Sequence, residues 1–258
     1  MALKLALDRP AIEVADLRHR FSDGTEALRG INLNIAAGEF VVVAGANGSG
    51  KTTLLLHLKG LLKPTAGAVS VSGISVADHP LEARLKVGLV FQDADSQIVG
   101  ETVYDDVAFG PENLRLAPQQ VRLRVAVALE TVGLVDVAQR RPHLLSGGQK
   151  RRLTIAGVLA MAPHTILLDE PFTHLDYIGI QQVLAQLVRL HAGGHTLVVA
   201  THDLEKVVAH ADRLVVLAEG QVALDGPPDA VMPRVEQFAV RRPCDSRYGR
   251  PVVSWLNK

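Results

Sequence analysis

A short glycine-rich run places the strongest constraint on how this chain folds. Residues 45–52 read GANGSGKT and match the pattern G-x-x-x-x-G-K-[ST]. The apolar run 40–44 predicts a buried strand before it, and residues 51–59 predict a helix after it, which is the context that the pattern requires. Glycines let backbone N–H groups wrap phosphate oxygens, and the start of a helix adds partial positive charge. The expected phosphate contacts are Asn47, Gly48, Ser49, Gly50, Lys51, Thr52 and Thr53.

Two carboxylates end another apolar strand pattern, at residues 165–168. In a phosphate loop of this kind, Lys51 reaches the β- and γ-phosphates of a nucleotide and the Thr52 hydroxyl binds Mg²⁺. Asp169, at the tip of the strand, suits holding the same ion through water. Glu170 follows it and is placed to orient or activate an attacking water. The pair therefore predicts nucleotide hydrolysis with Mg²⁺ as cofactor.

A histidine follows a further strand pattern, at residues 196–200. Ligands of open α/β sheets gather at this end of the strands, so His202 is a candidate catalytic residue. The alternative is a histidine that caps a helix or sits satisfied in the core. The phosphate loop and the acid pair favour the catalytic interpretation.

Strand and helix patterns alternate along most of the chain, which predicts an α/β fold with a largely parallel core sheet. Between residues 93 and 163 the strand patterns stop, and we interpret that stretch as an inserted helical lobe. The predicted strands are 11–17, 31–35, 40–44, 68–71, 86–91, 165–168, 196–200, 214–217 and 221–224. The predicted helices are 51–59, 102–109, 118–132, 148–161, 180–191 and 204–211.

Composition excludes several other classes of protein. The 258 residues contain 27 Lys and Arg against 27 Asp and Glu, whereas a protein that coats nucleic acid needs clustered positive charge, so no nucleic-acid partner is expected. Cys244 is the single cysteine, which excludes an intrachain disulfide and fits a reducing cytoplasm. No apolar run reaches about 18 residues, and the N-terminus has no signal-peptide pattern. We therefore expect a cytosolic protein that can sit on a membrane partner.

The last segment, residues 233–258, differs from the rest because Pro233, Pro243 and Pro251 interrupt any regular element. It carries six basic residues and two acidic ones. A solvated or loosely packed tail is one interpretation, and a contact with a partner or a second copy is the other. We place the main domain at residues 1–232 and leave the role of the tail open.

The run LSGGQKRR at residues 145–152 resembles the signature of ATP-binding cassette (ABC) ATPases. A serine hydroxyl and glycine amides at the start of a helix form a second anion site. The resemblance covers about residues 11–232 and implies a P-loop NTPase cassette with a parallel core sheet, an N-terminal antiparallel β subdomain and a helical subdomain inserted at about 93–163. In this family two subunits dock head to tail, and the signature of each closes over the ATP of the other. The residues that would do so here are Ser146, Gly147, Gly148 and Gln149.

Other positions of the ABC family carry over one at a time. Phe21 falls where the family places an aromatic residue that stacks on adenine, most often tyrosine. Gln92 resembles the glutamine that touches Mg²⁺ and water and signals to the membrane partner. Residues 173–176 resemble the loop that crosses the dimer, with Asp176 among the nucleotide-binding positions. His174 departs from the small residue that is usual there, and this departure bears on packing across the dimer.

A second resemblance narrows the family to the energy-coupling factor group. The run DVAFGPENL at residues 106–114 fits that group closely, and residues 61–67 and 21–25 fit it too, whereas residues 93–96 depart from its usual segment. The resemblance implies an importer with a transmembrane coupling subunit and a membrane substrate-binding subunit, most like the cobalt or nickel type. This chain would then be its ATPase, bound peripherally at the cytoplasmic face of the inner membrane, with ATP and Mg²⁺ as ligands.

Three alternatives stay open at this point. A conventional importer ATPase, served by a periplasmic binding protein, is disfavoured by residues 106–114. A soluble ABC ATPase acting on ribosomes or DNA usually has two cassettes or a long coiled-coil insertion, and this chain has neither. A nucleotide-binding regulator that never hydrolyses does not need the set Gln92, Asp169, Glu170 and His202. The resemblance does not decide whether the second ATPase subunit is an identical copy or a related chain.

Overall fold

Two β-sheets form the centre of the fold. The computed structural model describes residues 10–247 and 250–257, so the predicted absence of a signal peptide at the N-terminus falls largely outside the described residues. The strands are β1 (Ile12–Arg20), β2 (Glu26–Ile35), β3 (Phe40–Ala44), β4 (Ala66–Val71), β5 (Ile74–Ser75), β6 (Val87–Val90), β7 (Thr165–Asp169), β8 (Thr196–Thr201), β9 (Arg213–Ala218) and β10 (Gln221–Gly226). A four-stranded antiparallel sheet has the order β2-β1-β4-β5, and a six-stranded sheet has the order β10-β9-β3-β8-β7-β6. From β9 to β6 the larger sheet is parallel, and β10 pairs antiparallel with β9, so the predicted fold class is confirmed.

The larger sheet is buried on both faces, as the continuous apolar pattern of its strands predicts. Phe40 and Val42 of β3 belong to one hydrophobic cluster, whereas Val41 and Val43 belong to another. Successive side chains of a strand point to opposite faces, so β3 separates the two clusters. The cluster of Val41 also contains Ile12 of β1, and it therefore fills the space between the two sheets.

Helices cover the larger sheet and form the lobe between β6 and β7. They are α1 (Lys51–Leu58), α2 (Pro80–Lys86), α3 (Val103–Asn113), α4 (Pro118–Val132), α5 (Gly147–Ala160), α6 (Tyr177–Ala192), α7 (Pro228–Val231) and α8 (Cys244–Arg247). Helices α3, α4 and α5 pack on one another, as expected of a helical lobe. Capping boxes start two of them, Thr102 with Asp105 at α3 and Ser146 with Gln149 at α5. Within the described residues, no helix combines the length and the apolar character needed to cross a membrane.

The helix predicted at residues 204–211 is wrong. Two short 3₁₀ turns, Leu204–Lys206 and Val208–His210, take its place, and Val207 between them has a non-helical φ of −131°. Val207 is fully buried and so is its neighbour in the second turn, and burying both adjacent valines sets the path of the backbone.

The strand predicted at residues 86–91 is shorter than expected. Sequence reasoning missed helix α2, which runs to Lys86, so β6 begins only at Val87 and ends before Phe91. The available signal was Pro80, because proline suits the first turn of a helix.

The described part of the C-terminal tail is packed at several points. The 3₁₀ stretch Met232–Phe238 buries Val235 in the core, and the turn Trp255–Asn257 lies further along. The Trp255 ring lies 5.6 Å from the ring of Tyr177 at the start of α6, measured between centroids. A loosely packed tail is therefore wrong for these points. A contact with a partner, and the domain boundary at residue 232, stay predictions.

Candidate functional site

The phosphate loop connects β3 to α1 and lies tightly against β2. Gly48 and Gly50 have φ angles of 80° and 104°, a left-handed region that glycine adopts without steric cost. A Cβ at Gly50 would also lie only 2.8 Å from the carbonyl oxygen of Ala27 in β2. Glycine is therefore required at Gly50 both for the backbone conformation and for the close approach.

The lysine of the loop is buried and folds back on the loop itself. Lys51 Nζ donates hydrogen bonds to the carbonyl oxygens of Gly45 and Ala46, at 2.7 and 3.1 Å. It also lies 4.0 Å from Glu170 Oε1. Burial lowers the pKa of Lys51, and the charges of Glu170 and Asp169 oppose that shift. Phosphate oxygens are stronger acceptors than carbonyls, so a bound phosphate would compete well for this ammonium group.

Asp169 and Thr52 meet beside the loop. Thr52 Oγ1 donates to Asp169 Oδ2 over 2.7 Å, whereas Asp169 Oδ1 is buried without a hydrogen-bond partner in the described structure. Burial raises the pKa of Asp169, the hydrogen bond from Thr52 lowers it, and the charge of Glu170 raises it again. A buried carboxylate oxygen without a partner requires an explanation, and a divalent cation that prefers oxygen ligands supplies one. The residues present therefore fit Mg²⁺.

Neighbouring strands bring Glu170 and His202 together. Asp169 lies opposite Ala200 in the register of β7 and β8, so the next residues of both strands meet just beyond the sheet. Glu170 Oε2 accepts a hydrogen bond from Thr201 Oγ1 at 3.0 Å. Glu170 Oε1 accepts one from the His202 backbone N–H at 3.0 Å and lies 2.8 Å from His202 Nδ1. These contacts hold the carboxylate in one orientation, while the His202 side chain remains 56% exposed at the cleft.

An open cleft of about 550 Å³ collects most of the predicted residues. The carboxyl ends of β3, β8 and β7 meet at this edge because the three strands are parallel neighbours. The predicted residues that line it are Phe21, Asn47, Gly48, Gly50, Lys51, Thr52, Thr53, Gln92, Asp169, Glu170 and His202. Thr25, Glu26, Ala27 and Thr173 also line the cleft, although the sequence analysis did not predict them as cleft residues and placed Thr173 only in the loop 173–176. The first three follow Phe21 in the β1–β2 hairpin, and of these only Thr25 belongs to a run that the sequence analysis singled out, residues 21–25.

Ser49 is the member of the predicted loop that lies outside the cleft. Its side chain is 5% exposed, and its hydroxyl has no hydrogen-bond partner in the described structure. It lines a separate cavity of about 380 Å³ behind the loop, together with Leu217 and Phe238. A phosphate contact of Ser49 would therefore have to come from its backbone.

Phe21 is a surface ring at the edge of the cleft. Its side chain is 41% exposed, and one edge packs against His19 with ring centroids 4.6 Å apart. An exposed aromatic face beside a phosphate site can stack on a nucleotide base. Phe21 therefore belongs to neither of the two hydrophobic core clusters.

The signature residues stand at the start of α5, outside the cleft. Ser146 Oγ accepts from the Gln149 backbone N–H at 3.3 Å, and Gln149 Oε1 accepts from the Ser146 N–H at 3.0 Å. Gly148 packs closely on α6, since a Cβ there would lie 3.2 Å from Gly179 Cα. Of the described residues that line the cleft, none belongs to the set Ser146, Gly147, Gly148 and Gln149.

Asp176 is also outside the cleft and caps a helix instead. Its Oδ1 accepts a hydrogen bond from the Gly179 N–H at 2.8 Å, which fixes the start of α6. His174, two residues earlier, is exposed and has a left-handed φ of 60°. The loop 173–176 therefore projects His174 to the surface beside the start of α5. A nucleotide contact by Asp176 stays a prediction.

The fold and the cleft together define a class of protein. A glycine-rich loop follows one parallel strand, two acids stand at the end of a second, and a histidine follows the strand between them. Together they form the site of a P-loop nucleotide hydrolase. A family model described as ABC transporter matches residues 28–173, more than half of the chain. The chain belongs to the ABC transporter family, and it is an ATPase.

Two curated relatives and two solved structures show how close the similarity is. The energy-coupling factor transporter ATP-binding protein of Methanocaldococcus jannaschii is 44% identical over 87% of this chain and 82% of its own length. The cobalt import ATP-binding protein of Syntrophus aciditrophicus is 45% identical over 86% of this chain and 80% of its own length. The first structure, cbiO1 of Clostridium perfringens, is described as part of an ABC transporter complex. Its sequence is 38% identical to this chain, the match covers 89% of this chain and 93% of the cbiO1 chain, and the TM-score is 0.81. The second structure, a dimeric bacterial ABC transporter cassette, is 32% identical to this chain. The match covers 84% of this chain and 98% of the cassette, and the TM-score is 0.75.

These similarities confirm the ABC resemblance, the likeness to energy-coupling factor and cobalt-import ATPases, and the prediction of ATP hydrolysis. The similarities show which family the chain belongs to, but they do not test the role of any single site residue, so those roles stay predictions. The ATPase assignment excludes the regulator that never hydrolyses. The conventional importer and the soluble ABC ATPase stay alternatives to the transport function that the sequence favours.

Proposed function

We propose that this chain is the ATP-hydrolysing subunit of an energy-coupling factor type importer for cobalt or nickel ions. Two ATPase subunits, either identical copies or this chain and a related one, would bind two ATP molecules at a shared interface, close on them and reopen after hydrolysis. The observation that carries the proposal is the composition of the cleft. It holds the phosphate loop, the acids and the histidine, whereas residues 146–149 stand outside it. A second subunit docked head to tail would bring its own signature to this cleft.

The relatives support the transport assignment. The likeness to proteins named for energy-coupling factor transport and cobalt import favours that type of importer and that cargo. The likeness to a dimeric cassette favours a second ATPase subunit, and the likeness to part of a larger ABC complex favours membrane partners. Those partners would be a transmembrane coupling subunit and a membrane substrate-binding subunit. The chain would then be peripheral, on the cytoplasmic face of the inner membrane.

Binding of ATP would use the buried charges of the cleft. Lys51 would exchange its two carbonyl acceptors for phosphate oxygens, and the loop amides would surround the same phosphates. Thr52, Asp169 and Gln92 would hold Mg²⁺, which when bound supplies positive charge against the β- and γ-phosphates. Residues 146–149 of the second subunit would add donors from the opposite side, where charge spreads in the transition state.

Hydrolysis would depend on Glu170 and His202. The Glu170 carboxylate is already oriented by Thr201 and by the His202 backbone, so it can polarise a water aimed at the γ-phosphate. His202 would hold the γ-phosphate through its exposed ring. Release of phosphate would remove the negative charge that binds the two subunits, and the dimer would reopen.

An apolar groove beside β6 offers a surface for the transmembrane coupling subunit. The groove has a volume of about 220 Å³ and lies next to residues 91–97, which follow β6 and are called the Gln92 loop here. Val99 and Phe109 lie on its rim. Val99 is 62% exposed and Phe109 is 54% exposed. The buried Asp106 carboxylate accepts hydrogen bonds from the backbone N–H groups of Val99 and Gly100, which fixes the rim. Closure of the dimer would push the membrane subunit through this surface.

Capture of the native complex tests the proposed transport function. The tagged chain is expected to co-purify from detergent-solubilised native membranes with a coupling-type membrane protein and a small polytopic substrate-binding protein, identified by mass spectrometry. Phe109→Glu places a charge in the groove and is expected to lose both membrane proteins while ATP binding persists. Leu123→Glu makes the same change at a residue of α4 that is 66% exposed and is expected to capture as the unchanged chain does.

Other captured proteins would contradict parts of the proposal. Two ordinary permease subunits with a soluble receptor would overturn the energy-coupling factor assignment and leave the ATPase chemistry in place. Ribosomal or DNA-repair proteins alone would overturn the transport function.

Loss of the Phe21 ring is expected to weaken ATP binding. Stacking of a base on an aromatic residue contributes about 1–3 kcal/mol, so Phe21→Ala should raise the Kd for ATP by about 5- to 150-fold. Phe21→Tyr keeps the ring and is the matched control. Equilibrium binding of fluorescent ATP would measure both variants, and an unchanged Kd for Phe21→Ala would remove Phe21 from the base site.

A further inference from the structure

Arg151 is a buried cation in the first turns of α5, within the signature run 145–152 and two residues after Gln149. The residue is 3% exposed. Its two terminal nitrogens donate hydrogen bonds to the carbonyl oxygens of Phe91 and Gln92, each at 2.5 Å. The guanidinium therefore binds the backbone at the point where β6 ends and the Gln92 loop begins.

The Gln92 loop has a second contact with α5 further along, where Lys150 Nζ donates to Asp95 Oδ1 at 2.6 Å. Gln97 closes it from the far end, where its side-chain oxygen accepts from the Phe91 N–H at 3.0 Å and its nitrogen donates to the Leu89 carbonyl at 3.2 Å. Gln92 itself is exposed and lines the nucleotide cleft. The position of its backbone thus depends on what holds residues 91 and 92.

Burial of Arg151 is costly unless its contacts compensate. Removing a guanidinium from water costs several kcal/mol, which hydrogen bonds to well-placed acceptors offset. The planar fork of arginine suits two adjacent acceptors, whereas a lysine ammonium cannot match both in the same way. A residue that only filled space at this position would have no need of the charge or the fork.

We propose that Arg151 is a positioning residue for ATP hydrolysis: it holds Gln92 in the cleft and ties it to the helix that carries the signature of the same chain. The inference rests on the role of Gln92 in the proposed function. Residues 146–149 would approach the ATP of the second subunit, and Arg151 lies on the helix that these residues begin. A shift of α5 on meeting that ATP would therefore move Gln92 in its own cleft, and Arg151 would link the two ATP sites at the residue that lines the cleft.

Arg152 provides a matched control on the same helix. Its NH1 donates to the carbonyl oxygens of Val132 and Gly133, at 2.7 and 3.2 Å, at the end of α4. Arg152 thus makes the same kind of contact, to two adjacent carbonyls, away from the Gln92 loop. Its loss should reproduce the general cost of losing a partly buried guanidinium without the specific effect on Gln92.

Hydrogen exchange of the purified chain without nucleotide is the first test. Arg151→Met is expected to speed amide exchange in residues 91–97 by about tenfold, because two charge-assisted hydrogen bonds are lost. Arg152→Met is expected to speed exchange around residues 132–134 and leave residues 91–97 unchanged. Arg151→Lys keeps the charge and is expected to restore part of the protection.

Steady-state kinetics provide the second test. Arg151→Met is expected to lower kcat about tenfold and to raise the Mg²⁺ concentration for half-maximal rate, while the KM for ATP stays within about twofold, because the phosphate loop is untouched. Arg151→Lys should recover part of the rate. A merely structural role would lower the amount of active protein in the same way for Arg151→Met and Arg152→Met, without any change in Mg²⁺ dependence.

The two tests separate this inference from the proposed function. Unchanged exchange in residues 91–97 of both Arg151 variants would overturn the positioning role, whatever the kinetics. If Arg151→Met does not fold, full kcat and Mg²⁺ dependence in Arg151→Lys would overturn the requirement for the fork. If the exchange result holds but Gln92→Ala leaves hydrolysis and Mg²⁺ dependence intact, the role of Gln92 falls, and Arg151 remains an anchor of the loop alone.

Discussion

Replacing Glu170 with glutamine is expected to lower kcat for ATP hydrolysis by about 10²- to 10⁴-fold, the contribution typical of a positioned general base. The amide keeps the size of the side chain and can still accept a hydrogen bond from Thr201, so the fold around β7 and β8 should persist. ATP binding should persist too, because the variant keeps the phosphate loop and loses a negative charge 4.0 Å from Lys51. The variant should therefore stay dimeric with ATP bound.

Phosphate release at saturating ATP, equilibrium ATP binding and light scattering would measure these three properties. Glu130→Gln makes the same chemical change at an exposed residue of α4, where kcat should stay within about twofold. Hydrolysis by Glu170→Gln at the unchanged rate would show that Glu170 is not the base. A slow variant that stayed monomeric with ATP would contradict the closure of two subunits on ATP.

Replacing Lys51 with alanine is expected to abolish tight ATP binding. Hydrogen bonds to charged groups contribute about 1.5–3 kcal/mol each, so the loss of one such bond should raise the Kd for ATP by about 10- to 150-fold. Hydrolysis at ordinary ATP concentrations should then be lost as well. Alanine also removes the donor that joins the carbonyls of Gly45 and Ala46, which loosens the loop around the remaining amides.

Lys59 at the end of the same helix is the matched control for Lys51. Its Nζ donates to the carbonyl oxygens of Arg84 and Val87. Burial, and to a smaller extent repulsion from the charge of Arg84, lowers the pKa of Lys59 to about 8. Lys59→Ala should lower the free energy of unfolding and leave the Kd for ATP unchanged. Titration calorimetry with ATP compares the two, and undiminished affinity in Lys51→Ala would refute the phosphate-site assignment.

Local motifs made much of the site predictable. The glycines, Lys51 and Thr52 are adjacent in sequence because one loop must present all of them to the same phosphates. Asp169 and Glu170 likewise end one apolar strand, and Ser146 begins a helix with its own capping box. The residues of each of these motifs lie only a few positions apart, so the sequence pattern is enough to predict that they are close together in the structure.

Contacts between distant segments were not predictable in the same way. Glu170 meets His202 only because β7 and β8 are neighbours in register. Arg151 is buried against the Gln92 loop, which no spacing along the chain indicates. Residues 204–211 have a helical pattern, yet burial of two adjacent valines breaks it into two turns.

The amino-acid order alone thus specified the α/β class, the phosphate loop, the acids and the signature, since each is encoded by residues close together in the chain. The packed structure alone decided that Ser49 faces away from the cleft, that Phe21 is exposed beside it, and that residues 146–149 lie outside it. The physical reason is the same in each case. Burial and hydrogen bonding between distant segments depend on which strands become neighbours and on the space that packing leaves between them.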